Sequence, residues 1–233
     1  MCGIFGYIAS TPDDQLDLAK LNAIAKDTER RGPHAFGFSW IDGAGRLRMF
    51  KQAGRIGDSL AMLKIAADAQ MLIGHTRYAT EGDPADNINN HPHPCDGGWL
   101  VHNGMIQNYR RLLQVEKLSP TSACDSEVIG LLMEQSRGTY VERTIDTLSV
   151  LARSPFAMLG LWKPGRMIIA RRGNPVHIGA TKSGVYLASY ADALPGHVKR
   201  MQDDHVIDAR RIGGKLVMQS HEIPSDLRLD RAA

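Results

Sequence analysis

The start of the chain is apolar, because residues 2–9 (CGIFGYIA) place aliphatic and aromatic residues around two glycines. Such a short apolar run predicts a buried strand that other backbone approaches closely. Apolar positions at residues 16–25 then recur at helical spacing, which predicts a helix with Asp13 or Asp14 as its cap. Alternation at 36–41 and 46–50 around a glycine-containing turn predicts a hairpin.

The rest of the chain alternates between helical and strand patterns. A second helix is predicted at 59–69, a strand at 71–76, and a Gly-, Pro- and Asn-rich loop at 81–98. A strand at 99–102 precedes helices at 128–135 and 141–152, and further strands are predicted at 157–162, 167–170, 185–189, 205–208 and 215–219. This order favours a layered α+β protein, and without a repeat or linker we expect residues 1–233 to form a single domain.

Composition narrows the class of protein. The chain is 43% hydrophobic and 23% charged, which is typical of a globular domain. Its 28 basic and 25 acidic residues leave a net charge of +3, too small to imply nucleic acid binding. No apolar run reaches the roughly 18 residues of a membrane span, and no secretory signal opens the chain. We therefore predict a cytoplasmic protein without a membrane partner.

The three cysteines, Cys2, Cys95 and Cys124, form no CxxC pair, which disfavours a disulfide framework and a CxxC zinc site. Cleavage after Met1 would leave Cys2 with its own α-amine. Because such an amine titrates near pH ~8, it can accept the thiol proton without a separate histidine. Cys2 is thus a candidate nucleophile, although a cysteine at this position can also be an accident of sequence.

Six blocks carry a family resemblance: MCGIFGYI at 1–8, RRGPHAFG at 30–37, GHTRYATEG at 74–82, NNHPHP at 89–94, HNGMIQNY at 102–109 and CDSEVI at 124–129. In this order they resemble the class II glutamine amidotransferases, and they are most similar to the glutaminase domain of the amino-sugar (glucosamine-6-phosphate) synthases. The resemblance implies an N-terminal-nucleophile hydrolase fold, an αββα sandwich with two stacked antiparallel sheets. It also implies glutamine hydrolysis through a Cys2 γ-glutamyl thioester, without a cofactor.

The resemblance assigns roles to individual residues. Asn103 and Gly104 would form the oxyanion hole, which needs fixed donors such as an amide and a backbone N–H. Arg77, whose guanidinium fork suits a carboxylate, would bind the α-carboxylate of glutamine with Thr80 nearby, and Asp125 would accept its α-ammonium group. Arg31 would orient the terminal amine or a water. The structural alternatives are a hairpin turn at Asn103-Gly104, an ion pair at Arg77 and a helix cap at Asp125.

Some residues depart from the family pattern. His34 stands where the family usually has Asp, Tyr78 replaces a common Trp, and Glu81 replaces His or Gln; we predict that Tyr78 and Glu81 contact the substrate or a mobile flap. The histidines at 75, 91, 93 and 102 with Cys95 could bind zinc. However, prolines stiffen this loop and the family uses no metal there, so none is predicted.

In the family, ammonia passes to a synthase domain, and we expect no such domain in this sequence. We therefore predict a glutaminase subunit that feeds a separate synthase. Two alternatives remain: an amidase of the same fold that cuts another amide, and a non-catalytic module that binds glutamine.

Overall fold

Thirteen strands and four α-helices make up the described residues, 1–224, of the computed structural model. The strands are β1 (Gly3–Ala9), β2 (Ala35–Ile41), β3 (Leu47–Ala53), β4 (Met71–Arg77), β5 (His93–Cys95), β6 (Gly98–Gly104), β7 (Phe156–Trp162), β8 (Arg166–Arg172), β9 (His177–Ala180), β10 (Gly184–Ala188), β11 (His197–Arg200), β12 (His205–Ile212) and β13 (Lys215–Glu222). The helices are α1 (Leu18–Thr28), α2 (Tyr109–Val115), α3 (Glu127–Gln135) and α4 (Tyr140–Val150). Segments of 3-10 helix cover Glu29–Arg31, Ile56–Ala66 and Asn87–Asn89.

The strands form two antiparallel sheets. The first has the order β11-β9-β10-β1-β4-β2-β3 and the second the order β13-β12-β8-β7-β6-β5. The first strand of the chain is central: Tyr7 pairs with Tyr186 of β10 on one side and with Leu72 of β4 on the other. Residues 1 and 2 therefore lie at the end of a central strand, beside the end of β4.

Alternation along the strands separates the apolar side chains into layers. One face of β1, with Ile4 and Ile8, packs against the second sheet through Val101 and Leu159. The opposite face of the first sheet packs on α1, and the outer face of the second sheet packs on α3 and α4. The order is helix, sheet, sheet, helix, which confirms the predicted αββα sandwich.

Local hydrogen bonds explain two helix starts. Asp17 caps α1, because its side chain accepts from the Ala19 and Lys20 backbone N–H groups. The prediction of Asp13 or Asp14 was wrong; Asp14 instead accepts from the backbone N–H and the hydroxyl of Thr11. A capping box formed by Thr139 and Glu142 begins α4.

Other elements also differ from the sequence prediction. The helix predicted at 59–69 is the 3-10 segment Ile56–Ala66, which the non-helical backbone of Ser59 interrupts. The predicted loop at 81–98 contains a 3-10 turn and β5, while α2, β9 and β11 were not predicted. Residues 225–233 of the expected single domain lie outside the described part. Within the described part, every helix is too short or too polar to cross a lipid bilayer.

Candidate active site

The central strands of the first sheet bring Cys2 and Arg77 to one end of the space between the sheets. Side chains two residues apart share a face of a strand. Cys2 thus follows the direction of Ile4, and Arg77 that of Ile73, and both isoleucines pack between the sheets. Gly3 pairs with Thr76, so the nucleophile candidate lies beside the end of β4.

The Cys2 thiol is half-buried and contacts the backbone just after β4. Its Sγ accepts a hydrogen bond from the Tyr78 N–H at 3.3 Å and lies 3.5 Å from the Tyr78 carbonyl oxygen. Burial raises the pKa of the thiol, whereas the Tyr78 N–H, the chain's terminal amine and Arg77 lower it, and Asp125 raises it further. The charges of Arg77 and Asp125 therefore both reach the sulfur atom.

Arg31 lies beneath the start of the chain. Its Nε donates to the Cys2 carbonyl at 2.6 Å, and a terminal nitrogen lies 3.5 Å from the sulfur of Met1. The side chain therefore fixes the carbonyl of Cys2. Gly32 lets this segment pack on β4, because a Cβ there would lie 2.4 Å from the Arg77 carbonyl carbon.

Arg77 is buried, with 2% of its surface exposed, and its guanidinium group binds the loop that follows β4. It donates to Asn90 Oδ1 at 2.8 Å, to the Gly82 carbonyl at 3.1 Å and to the Glu81 carbonyl. These are hydrogen bonds to neutral acceptors, so the ion-pair alternative does not describe Arg77.

The other residues predicted to bind substrate near Arg77 lie further out. Tyr78 and Thr80 are exposed, and the Tyr78 ring packs on His34, with ring centroids 4.8 Å apart. The Glu81 carboxylate forms an ion pair with Arg110 at 3.3 Å. The structure thus places Arg77 with Cys2 and leaves the side chains of Tyr78, Thr80 and Glu81 at the outer edge of the site.

Asn103 and Gly104 end β6 in the second sheet. Asn103 shares the inward face of Val101 and is 1% exposed, and among the described residues its Nδ2 has no hydrogen-bond partner. Its carbonyl accepts from Asn174 Nδ2 at 2.8 Å. Both residues pair with β7, opposite Ala157 and Phe156, so the hairpin-turn alternative was wrong.

Asp125 lies in the loop before α3 and is almost fully buried. Its Oδ2 accepts from the backbone N–H of Ile106 at 2.6 Å, two residues beyond Gly104. Burial raises the pKa of the carboxyl group, and the Ile106 N–H and the Ser126 hydroxyl lower it. The N-cap of α3 is Ser126, so the cap alternative for Asp125 does not hold.

Several histidines in the segments that carry the site residues are buried. Burial lowers the pKa of His93 and of His102 to about 3, which makes both neutral at physiological pH. Donor atoms of His91, His93 and Cys124 lie within 4.8 Å of one another, whereas Cys95 packs against Met133.

The positive charge of Lys51 makes this histidine group a poor site for a metal. Lys51 Nζ donates to the Asn90 carbonyl at 3.0 Å and its charge lowers the pKa of His93. A cation near an existing ammonium group is electrostatically unfavourable. The absence of a metal stays a prediction.

Three contacts of the site were not predicted: the Ile106 N–H on Asp125, the Arg110 partner of Glu81, and the bond between His102 Nδ1 and Ser126 Oγ. His102 and Ser126 directly adjoin Asn103 and Asp125 in the blocks HNGMIQNY and CDSEVI. Their position next to predicted site residues was the available signal.

Curated relatives decide the family. The chain is 33% identical to the glutamine–fructose-6-phosphate aminotransferase (isomerizing) of Aquifex aeolicus over 209 residues, 86% of this chain and 34% of the relative. The same enzyme of Helicobacter pylori is 34% identical over 204 residues, 83% of this chain and 33% of the relative. The chain belongs to the class II glutamine amidotransferases. It spans about a third of the length of these relatives. No family model matches the chain.

Solved structures share the class II amidotransferase fold. The glutamine phosphoribosylpyrophosphate amidotransferase of Bacillus subtilis superposes with a TM-score of 0.76 at 21% identity, over 97% of this chain and 50% of that one. The glutamine aminotransferase class-II domain protein of Silicibacter pomeroyi has a TM-score of 0.64 at 12% identity, over 96% of this chain and 100% of that one.

Proposed function

We propose that this domain hydrolyses the side-chain amide of glutamine to glutamate and ammonia, with Cys2 as nucleophile. One observation carries the proposal: the buried Nδ2 of Asn103, which has no partner within residues 1–224, lies at the end of the sandwich that holds the Cys2 thiol, Arg77 and Asp125. An unpaired buried donor is costly, and a developing oxyanion is a partner that would satisfy it. Membership in the class II amidotransferases supports the same reaction.

The mechanism begins with cleavage of the Met1–Cys2 peptide bond, which frees the Cys2 amine. The amine takes the thiol proton, and Sγ attacks the amide carbon of glutamine. Asn103 Nδ2 and the Gly104 N–H stabilise the oxyanion. Collapse breaks the C–N bond, and the amine's proton goes to the leaving nitrogen, which departs as ammonia. Water then attacks the γ-glutamyl thioester, releases glutamate and restores the thiol.

Substrate recognition uses the two buried charges that reach Cys2. Arg77 binds the α-carboxylate, which replaces part of its bonding to the 81–82 backbone, and Asp125 accepts the α-ammonium group. Arg31 holds the Cys2 carbonyl and so fixes the new chain terminus. Tyr78, Thr80 and Glu81 line the approach to this pocket.

We further propose that the ammonia passes to an acceptor synthase. The relatives are named for fructose 6-phosphate, so we infer a sugar phosphate as the kind of acceptor. That the synthase is a separate subunit, and that the protein works in the cytoplasm, stay predictions.

Glutamate release, measured beside the mass of the N-terminus, tests the proposal. We expect the processed protein to release glutamate from glutamine and not aspartate from asparagine. Cys2→Ser should lower turnover by at least about a thousandfold. Asp125→Ala should raise the KM for glutamine, whereas Asp146→Ala on the exposed side of α4 should change neither constant.

Three results would contradict the proposal in different ways. Full activity with Met1 retained would exclude the Cys2 amine as base. Faster turnover of another amide would favour the related amidase. Glutamine binding without glutamate release would favour the non-catalytic module.

A further inference from the structure

A buried chain of hydrogen bonds connects the two segments that carry Asn103 and Asp125. His102 Nδ1 lies 2.9 Å from Ser126 Oγ, and Ser126 Oγ lies 3.4 Å from Asp125 Oδ1. His102 directly precedes Asn103, and Ser126 directly follows Asp125. All of these side chains are at most 4% exposed.

The chemistry of the groups sets the direction of the chain. An ionised carboxylate only accepts hydrogen bonds, so the Ser126 hydroxyl gives its single hydrogen to Asp125. His102 must then donate to Ser126 from Nδ1. The imidazole is neutral, because burial lowers its pKa to about 3, so Nε2 carries no proton. In this tautomer His102 Nε2 is an acceptor, and it has no partner among the described residues.

We propose that His102 and Ser126 are positioning residues: the chain from His102 Nδ1–H through the Ser126 hydroxyl to Asp125 Oδ1 sets the ammonium-binding carboxylate relative to the oxyanion donor. This inference rests on the proposed function for the ligand that Asp125 binds. The Ile106 N–H anchors the other oxygen, Oδ2, at 2.6 Å. Together the two bonds fix both oxygens of the carboxylate to the segment that begins at His102.

The strand that carries His102 is itself tied to the first sheet. His75 Nε2 donates to the His102 carbonyl at 3.0 Å, across the space between the sheets. His75 lies two residues before Arg77 on β4, on the same face. These hydrogen bonds therefore link the predicted carboxylate-binding, oxyanion-binding and ammonium-binding residues through buried groups only. Besides His102, the titratable groups near Asp125 are Cys2, Cys124 and Tyr109, and the charge of Arg77 acts on the same two cysteines.

Steady-state kinetics of Ser126 variants in the full chain test the positioning role. Ser126→Ala removes the donor to Oδ1 and should raise the KM for glutamine by about tenfold with kcat nearly unchanged. Ser126→Thr keeps the hydroxyl and should restore most of the affinity. Ser136→Ala is the matched control, because Ser136 caps the opposite end of α3 and bonds the Leu132 carbonyl. An unchanged KM in Ser126→Ala would overturn the proposal.

The tautomer of His102 gives a test that needs no variant. Nitrogen NMR of the wild-type protein labelled at histidine should show a neutral His102 ring protonated at Nδ1. Protonation at Nε2 would reverse the chain and overturn the proposal. If the wild type releases no glutamate, the proposed function fails. The tautomer of His102 then still decides whether the hydrogen bonds run in the proposed direction.

Discussion

The two sheets differ in whether the hydrogen-bond donors that they bring to the site are already bonded. At the end of the first sheet, Arg77 of β4 and Arg31 of the neighbouring 3-10 segment donate to protein carbonyls and an amide, and so fix the 81–90 loop and the chain start. On the second sheet, Asn103 keeps a buried amide without a partner among the described residues. The arginine bonds hold the shape of the site, and in the proposed function Arg77 exchanges part of its bonding for the substrate. The Asn103 amide, in contrast, has no partner among the described residues to give up when the substrate arrives.

The unpartnered amide of Asn103 should matter most for turnover. Asn103→Ala removes a donor aimed at the oxyanion, and we expect kcat to fall by about 10²–10³-fold. Asn103→Asp is the matched variant, since it keeps the shape and loses the N–H donor, and it should lose as much. Glutamate release under saturating glutamine measures both. A kcat within twofold of wild type in Asn103→Ala would show that catalysis does not use this amide, and the two sheets would then not differ in this way.

The buried histidines should make the folded state sensitive to acid. The pKa of His93 and of His102 falls from 6.5 to about 3 on folding, because burial disfavours the charged ring. A depressed folded-state pKa stabilises above pH 6.5, and that stability is lost as the pH falls toward 3. At pH 5 the loss is about 2 kcal/mol per histidine.

Thermal or denaturant unfolding at pH 7 and pH 5 measures this loss. His93→Gln should flatten the dependence, because glutamine does not titrate. The same unfolding free energy at both pH values in the wild type would show that the histidines are solvated or paired.

A substitution of Arg77 tests whether its buried hydrogen bonds fix the 81–90 loop. Arg77→Lys keeps the charge but loses the planar fork, so it should raise the KM for glutamine about tenfold and loosen the 81–90 loop. Limited proteolysis of the loop reads the second effect. Arg110→Lys, on the exposed ion pair with Glu81, is the control and should change little. Equal effects of both substitutions would mean that the buried bonds of Arg77 are not what fixes the loop.

The smallest expected effect on chemistry comes from Gly32. A Cβ there would contact the β4 backbone at 2.4–2.6 Å, so Gly32→Ala should lower the unfolding free energy by about 1–3 kcal/mol. Gly43→Ala, with its closest contact at 3.7 Å, should change it far less. Chemical denaturation compares the two. Equal stability would show that the 3-10 segment shifts freely away from β4.

Short-range apolar patterns correctly predicted a layered α+β protein and a buried first strand, and the family resemblance supplied the αββα order of the layers. Residues 2–9 are apolar enough to identify a buried strand, and the resemblance supplied Asn103, Arg77 and Asp125. Prediction from the sequence failed where tertiary contacts override the local pattern. The stretch at 59–69 has helical composition, yet Ser59 breaks it into 3-10 turns. The α1 cap was misplaced because Asp13, Asp14 and Asp17 all suit a cap by type.

The side-chain partners in the site could not be read from the chain. Arg77 and Asn90 are separated by a loop, and Glu81 meets Arg110 from 29 residues away. Such pairs depend on how the 81–90 loop folds back over β4. The roles proposed for the site residues stay predictions until kinetics test them.

Because the sulfur atom belongs to one sheet and the amide of Asn103 to the other, their separation is set by the apolar layer between the sheets. A small slide of one sheet over its neighbour would change that separation without unfolding either. Substitutions at Ile8 or Leu159, deep in this layer, should therefore reduce the catalytic rate at temperatures well below the melting temperature, where the protein is still folded.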